Sequence, residues 1–339
     1  MKLLTTLGKS LRGGTSLAAA AIVGTALLSS ALPAKATDFE KKDPLKIGYS
    51  IQSAQDPYWQ GYLRGIQEQM KRYGFAELLT QDSQASAQKQ TSGSIALVNN
   101  GISALIISPH EPSALAATIA AAHREKIPVI VGDVGASGDY DGFILSDNYA
   151  GGVLAAEFIQ KSLEGKEGEH EVAIISLNPT TSVNVPRTKG FTDTIAKTPN
   201  IKIVSDISGK QTLEGGFAAA QAILSANPNI AAIYCLNDSM AAGASQAIDQ
   251  AGGDKNQLTN PVLVGFNGDP IALELLANGK LAADVAQNPY QQGVAAVDMA
   301  WAYLNGEKPT FTDEATKTLN IPVELVTPAT LEEFKKNLK

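Results

Sequence analysis

What most constrains this chain is a rhythm. Short β-branched and apolar runs alternate with longer, Ala-rich stretches of helical pattern from residue 46 almost to the end. Strand signals over 46–51, 77–81, 104–108, 128–132 and 142–145 are separated by helical patterns over 62–73, 86–99 and 112–125. The run at 104–108 is apolar almost throughout, as a strand covered on both faces requires. Strands joined through helices imply right-handed crossovers and a parallel sheet. After Asp147 and Asn148 the rhythm restarts, with strands over 172–176, 201–206, 231–235, 262–266 and 281–286 and helices over 150–163, 187–197, 213–226 and 240–251. Two such sets predict two similar α/β lobes, each a doubly wound parallel sheet.

The first residues follow a different logic. Residues 1–14 carry Lys2, Lys9 and Arg12 and no acid, residues 15–32 are small and apolar, and Ala34-Lys35-Ala36 has the form that signal peptidase cleaves. The expectation is a signal peptide over 1–36, cut after Ala36, and a periplasmic protein. A membrane anchor is the competing reading, but the stretch is only mildly apolar and the cleavage pattern follows at once. Removal takes four of the 27 Lys and Arg residues and none of the 34 Asp and Glu, so the remainder is more acidic than the whole chain at −7. An acidic chain without basic runs argues against nucleic acid as a partner. With Cys235 as its single cysteine, the chain can form no internal disulfide, and its stability must come from burial.

Ligands of open parallel sheets sit beyond the carboxyl ends of the strands. Those ends here carry Asp56, Tyr58 and Trp59, then Asp133, Asn237 with Asp238, Asn267 with Asp269, and Gln287 with Asn288. Asp, Asn and Gln supply both donors and acceptors, which suits a neutral, hydroxyl-rich ligand. Each could instead cap the helix that follows it, as Asp56, Asn237 and Asp269 are placed to do. Trp301, in the helical pattern DMAWAYL, reads as core.

Catalytic constellations are not found. His110, His123 and His170 lack metal-ligand spacing, and no G-x-S-x-G elbow occurs. The glycine-rich stretch at 132–138 departs from G-x-G-x-x-G and follows the fourth strand. Asp139 and Asp141 read as an acidic turn, and Cys235 as a buried small hydrophobe. The expectation is a binding protein without cofactor or metal, not an enzyme.

The motifs DPYWQGYLRGIQEQMKRYG, ISALIISPHEPSAL, IPVIVGD and LSDNYAGG, followed by PRTKGF, AIYCLNDSMAAGA, VLVGFNGDP and NGKLAADVAQNPYQQG, occur in that order. Through them the chain resembles the periplasmic sugar-binding proteins of the ribose-binding type, the type I solute receptors of ABC importers. That resemblance covers about residues 45–326 and implies two lobes joined by a three-crossover hinge, with crossings near Asn148, after Gln287 and near Phe311. It divides the chain into a flexible leader at 37–44, a first lobe at 45–148 plus 288–310, and a second at 149–287 plus 311–339.

The resemblance also implies roles. Tyr58 and Trp59 fall on the aromatic pair that covers the sugar, Asp56 where Asn is frequent, and Asp133 on the family's acid. Arg187, Asn237 and Gln287 match ligand contacts. Val134 stands where ribose binders have Arg, Asn267 where they have Asp, and Gln211 where they have an aromatic. Losing that charged pair would cost a ribose-like ligand about 2–4 kcal/mol, roughly 30- to 1000-fold in affinity. The implied ligand is therefore a deoxy sugar, a polyol or another small molecule in place of ribose. The implied partners are an importer's membrane subunits or a sensor kinase or chemoreceptor, with the receptor acting as a monomer.

Overall fold

The computed structural model describes residues 39–179, 181–252 and 261–338; the signal peptide and cleavage position read from residues 1–36 lie outside them. Residues 37–339 form one compact unit. Its first lobe is built on β1 (Lys46–Ile51), β2 (Glu77–Asp82), β3 (Ala104–Ile107), β4 (Val129–Gly132), β5 (Gly142–Ser146) and, from far down the chain, β11 (Thr318–Ile321). They lie in the order β11-β5-β4-β3-β1-β2, and all neighbours are parallel. Alternation along β3 shows why both faces are apolar. Ala104 and Ile106 pack with α1 (Pro57–Tyr73) and α9 (Pro289–Leu304), while Leu105 and Ile107 pack with α2 (Ala87–Asn99) and α3 (Ala116–Arg124).

The second lobe repeats the plan with β6 (His170–Ser176), β7 (Ile201–Ser208), β8 (Ala232–Cys235), β9 (Val262–Asn267), β10 (Ala283–Ala286) and β12 (Glu324–Val326). Their order is β12-β10-β9-β8-β6-β7, parallel except for β12. The helices are α4 (Asn148–Leu163), α5 (Asn184–Ile195), α6 (Leu213–Ala226), α7 (Asp238–Gly252), α8 (Pro270–Ala277) and α10 (Leu331–Asn337). This lobe has its own core, centred on residues such as Ile174, Phe191, Tyr234 and Phe266.

The chain passes between lobes at Asp147, at Gln287 and Asn288, and at Pro322 and Val323. The third crossing is thus a correction. It was expected near Phe311, but the chain stays with the first lobe until β11 has paired in parallel with Phe143–Ser146. β11 covers an edge that β5 would otherwise leave bare, and β12 does the same for β10, so each lobe has six strands where five were read. Residues 39–42, expected as a flexible leader, lie on the first lobe. Phe39 meets Tyr303 edge-on at 5.2 Å, and Lys41 reaches Asn305 at 2.7 Å while lying 4.5 Å from the Trp301 ring centre.

Three helix pairs approach through reciprocal glycines. A Cβ on Gly65 would fall 2.0 Å from the Tyr290 carbonyl, and one on Gly293 2.1 Å from that of Tyr62, across α1 and α9. Gly152 and Gly190 play the same parts across α4 and α5, as do Gly216 and Gly243 across α6 and α7.

Candidate functional site

The carboxyl ends of both sheets face one another, and each lobe brings its own polar set to the gap. α1 starts at Pro57, five residues before the helix read from the sequence, because Asp56 caps it through a bond from the Tyr58 N–H at 2.9 Å. That early start fixes Tyr58 and Trp59 in the first turn. The two rings meet edge-on at 4.8 Å and 85°, but they are not equivalent. Trp59 is only 5% exposed and packs beside Tyr62 in the core, whereas the Tyr58 hydroxyl donates to Asp133 at 2.7 Å. Asp133 follows β4 with φ of +63°.

From the second lobe, α5 presents Arg187, 4% exposed, with its guanidinium 3.6 Å over the Phe266 ring. Its Nε donates to Asn148 at 2.8 Å and its Nη1 to the Leu236 carbonyl at 2.7 Å. Asn237 caps α7 through the Met240 N–H at 2.9 Å, which commits its Oδ1 to the helix and leaves its Nδ2 as a donor. Asn267 ends β9 with φ of +143°, accepts from Gln287 at 2.9 Å, and donates to Asp269 at 3.1 Å. Gln211, exposed, has φ of +63°. Three cavity residues thus hold the left-handed backbone, the kind of strain that collects at functional sites.

All ten residues singled out from the sequence line one cavity of about 260 Å³: Asp56, Tyr58, Trp59, Asp133, Val134, Arg187, Gln211, Asn237, Asn267 and Gln287. Gln52, Leu177, Thr181, Ser182, Val183 and Asp269 complete it. Gln52 and Leu177 directly follow strands, so the strand-end rule could have found them; nothing in the sequence marked residues 181–183. The volume lies just under the roughly 300–1,000 Å³ of ordinary ligand pockets, which restricts the occupant to a small molecule. A larger cavity of about 570 Å³ adjoins it on the side of the second and third crossings. Its walls include Pro57, Pro270, Pro289, Pro322, Leu273 and Phe334, with Arg64, Asp269 and Glu324 as its charged groups.

Electrostatically, the smaller cavity holds Asp133 against Arg187. Burial pushes the Asp133 carboxyl up, while the Tyr58 hydrogen bond and the Arg187 charge pull it back. Burial pulls Arg187 down, opposed by Tyr234 and Asp133. Asp269 is pushed to about 7, by burial first and then by the nearby Asp238. Beneath it, Asp238 and Asp284 are both fully buried, and burial pushes both up; the Asp284 charge adds to the rise at Asp238, and the Asp269 charge to that at Asp284. Asp238 receives the N–H groups of Phe266 at 2.9 Å and Asp269 at 2.8 Å, so this pair supports the loop that carries Asn267. Cys235 is buried, and burial pushes its thiol up.

The acidic turn resolves into two different groups. Asp139 is exposed and pairs with Lys317, whereas Asp141 is 5% exposed and accepts from the Val129 N–H and His123, each at 2.8 Å. Among the described residues no group of three or more His, Cys, Asp or Glu is placed to hold a metal ion.

Comparison with known proteins agrees with this fold. The chain is similar to the ribose import binding protein of Bacillus subtilis (strain 168), with 30% identity over 295 residues, 87% of this chain and 91% of that one. A periplasmic ribose ABC transporter structure from Conexibacter woesei superposes with a TM-score of 0.76 at 26% identity, covering 90% of this chain and 97% of its own. An ABC transporter solute binding protein from Bacillus halodurans with bound myo-inositol gives 0.72 at 25% identity, covering 86% and 98%. Residues 47–308 match the periplasmic binding protein domain, and the chain belongs to that family of binding proteins.

Proposed function

We propose that this chain is exported through its N-terminal segment, captures a small hydroxyl-rich ligand between its lobes, and hands it to an ABC importer. The observation that carries the reading is convergence: Asp133 and Tyr58 from one lobe and Arg187, Asn237 and Asn267 from the other line a single small cavity. A ligand that touches both sets favours the arrangement in which the lobes are together, and it does so by its differential affinity for that arrangement. Tyr58 and the edge of Trp59 offer apolar surface to the C–H face of a sugar or polyol ring, while Asp133, Arg187 and the amides meet its hydroxyls. Val134, Leu177 and Val183 add an apolar side, which favours a deoxy sugar or a cyclic polyol over ribose.

Isothermal titration of the chain from Thr37 onward with D-ribose, D-arabinose, D-allose, L-fucose and myo-inositol tests this. Binding of at least one, weakened about tenfold or more by Arg187→Lys, is expected, since a lysine cannot reproduce the guanidinium's several bonds. Silence from all five, together with binding of an amino acid or nucleoside, would overturn the hydroxylated ligand.

A further inference from the structure

One buried side chain outside the cavity lining organises the polar groups that line it. Gln292, in the first turn of α9, is fully buried. Its Nε2 donates to the Tyr58 hydroxyl at 2.8 Å and to the Ser146 hydroxyl at 3.0 Å, while its buried Oε1 has no hydrogen-bond partner. Two branches leave that amide. In the first, Tyr58 accepts from Gln292 and donates its one hydrogen to Asp133 at 2.7 Å. In the second, Ser146 donates to the Gln287 Oε1 at 2.7 Å, and the Gln287 Nε2 donates to the Asn267 Oδ1 at 2.9 Å.

The far ends of both branches require this direction. An ionised carboxylate at Asp133 only accepts, so the Tyr58 hydroxyl must donate there and receive from Gln292. At the other end Asn267 turns its Nδ2 to Asp269, so its Oδ1 accepts, from the Gln287 Nε2 at 2.9 Å and at longer range from the Arg187 Nη1 at 3.5 Å. An oxygen of Gln287 in that place would face another oxygen. Gln287 then has only its oxygen to offer Ser146, whose hydrogen is used up, and Ser146 must receive from Gln292. Turning the Gln292 amide over would satisfy its orphaned oxygen with two hydroxyl donors, but both branches would reverse. Asp133 would lose the hydrogen from Tyr58, and Gln287 the hydrogen from Ser146.

We infer that Gln292 is a positioning residue that fixes the donor–acceptor pattern of the cavity in both lobes at once, acting through Tyr58 and Ser146. It stands just after the second crossing and Ser146 just before the first, so the relay passes through the hinge itself. The inference rests on the reading of the cavity as the ligand site.

The test has a ligand-free arm and a binding arm. In protein carrying ¹⁵N-glutamine, the Gln292 side-chain amide is assigned by its disappearance in Gln292→Met. Tyr58→Phe is expected to shift one of its two protons and Ser146→Ala the other. If neither proton responds to either substitution, the relay does not exist. In the binding arm, D-ribose, D-allose and myo-inositol are titrated into the wild type, Gln292→Met and Gln292→Glu at pH 8, with melting temperatures measured alongside. Gln292→Met removes the donor, whereas Gln292→Glu replaces it with an acceptor. Gln292→Glu is therefore expected to lose about tenfold or more in affinity, and more than Gln292→Met, in excess of any difference in melting temperature. Equal losses, or losses that track the melting temperature, would reduce Gln292 to a structural residue and overturn the inference. Should the wild type bind none of the three, the sugar reading of the cavity falls, and the amide protons decide the relay by themselves. Ser146→Ala, which leaves α9 intact, keeps the relay testable if Gln292→Glu does not fold.

Discussion

At the residue scale, capping and cavity lining are not competing roles. Asp56 and Asn237 each commit one oxygen to a helix N-terminus and still face the cavity. Asp269 differs, since its side chain makes no capping bond and is held largely out of water at about 7. Its pKa is raised above the unfolded value of about 4, so the folded state holds the proton more tightly. The stabilisation this gives is complete below about pH 4 and is lost as pH rises through about 7. Asp284, raised to about 6, and Asp238 act in the same direction. Asp193 and Asp313, whose carboxyls are lowered by their hydrogen-bond partners, work oppositely and only at lower pH. The melting temperature is therefore expected to fall between pH 5 and pH 8, and Asp269→Asn is expected to flatten that fall. A wild-type curve that rises across this interval would contradict the assignment. Asp238 and Asp269 were legible in the sequence as groups at strand ends, because a strand's end can be read from its own pattern. The buried pairing was not: nothing within α7 or β10 shows that Asp238 and Asp284 meet.

Among elements, the strands covered on both faces were the most legible, because continuous apolar runs such as those of β3 and β4 need no partner to be recognised. β11 and β12 escaped because they are four and three residues long and half polar, too short for any period to show. α8 and α10, of eight and seven residues, were missed for the same reason. The helix pairs carry a constraint of a different kind. Gly190 and Gly152 let α5 lie close against α4, and α5 in turn carries Arg187 into the cavity. Gly190→Ala would drive a methyl group to 2.1 Å from the Tyr149 carbonyl, so the helices must separate. Overpacking of this kind costs about 1–3 kcal/mol, and the displaced Arg187 should weaken ligand binding as well. Urea denaturation and titration of the same variant check both effects. Gly165→Ala, where nothing lies within 4 Å of a Cβ, is the control for helix-end backbone strain alone at its φ of +75°.

For the whole molecule, the arrangement of two separate cores decides behaviour. The apolar cluster of the second lobe shares no residue with the two clusters of the first. The lobes are joined by three short crossings and by a buried polar relay, neither of which couples their unfolding strongly. Scanning calorimetry without ligand is expected to give a calorimetric enthalpy larger than the van't Hoff value, and the two should converge when a bound sugar or polyol ties the lobes together. Coincidence of the two enthalpies in the ligand-free protein would show that the lobes already unfold as one.

The sequence by itself determined the two-lobed parallel architecture and the polar set, because strand periodicity, helix caps and strand-end residues are local properties of the chain. It also carried the family resemblance, motif by motif. Only the tertiary structure decided which lobe owns β11, that Trp59 turns mainly inward, and that Gln292 governs the direction of the hydrogen bonds reaching Asp133 and Asn267. Those outcomes depend on which groups face one another in the fold, in the β11 pairing and the Gln292 bonds across more than a hundred residues of sequence. A polar side chain's donor or acceptor role is set by its partners, and the partners are known only once the chain has folded.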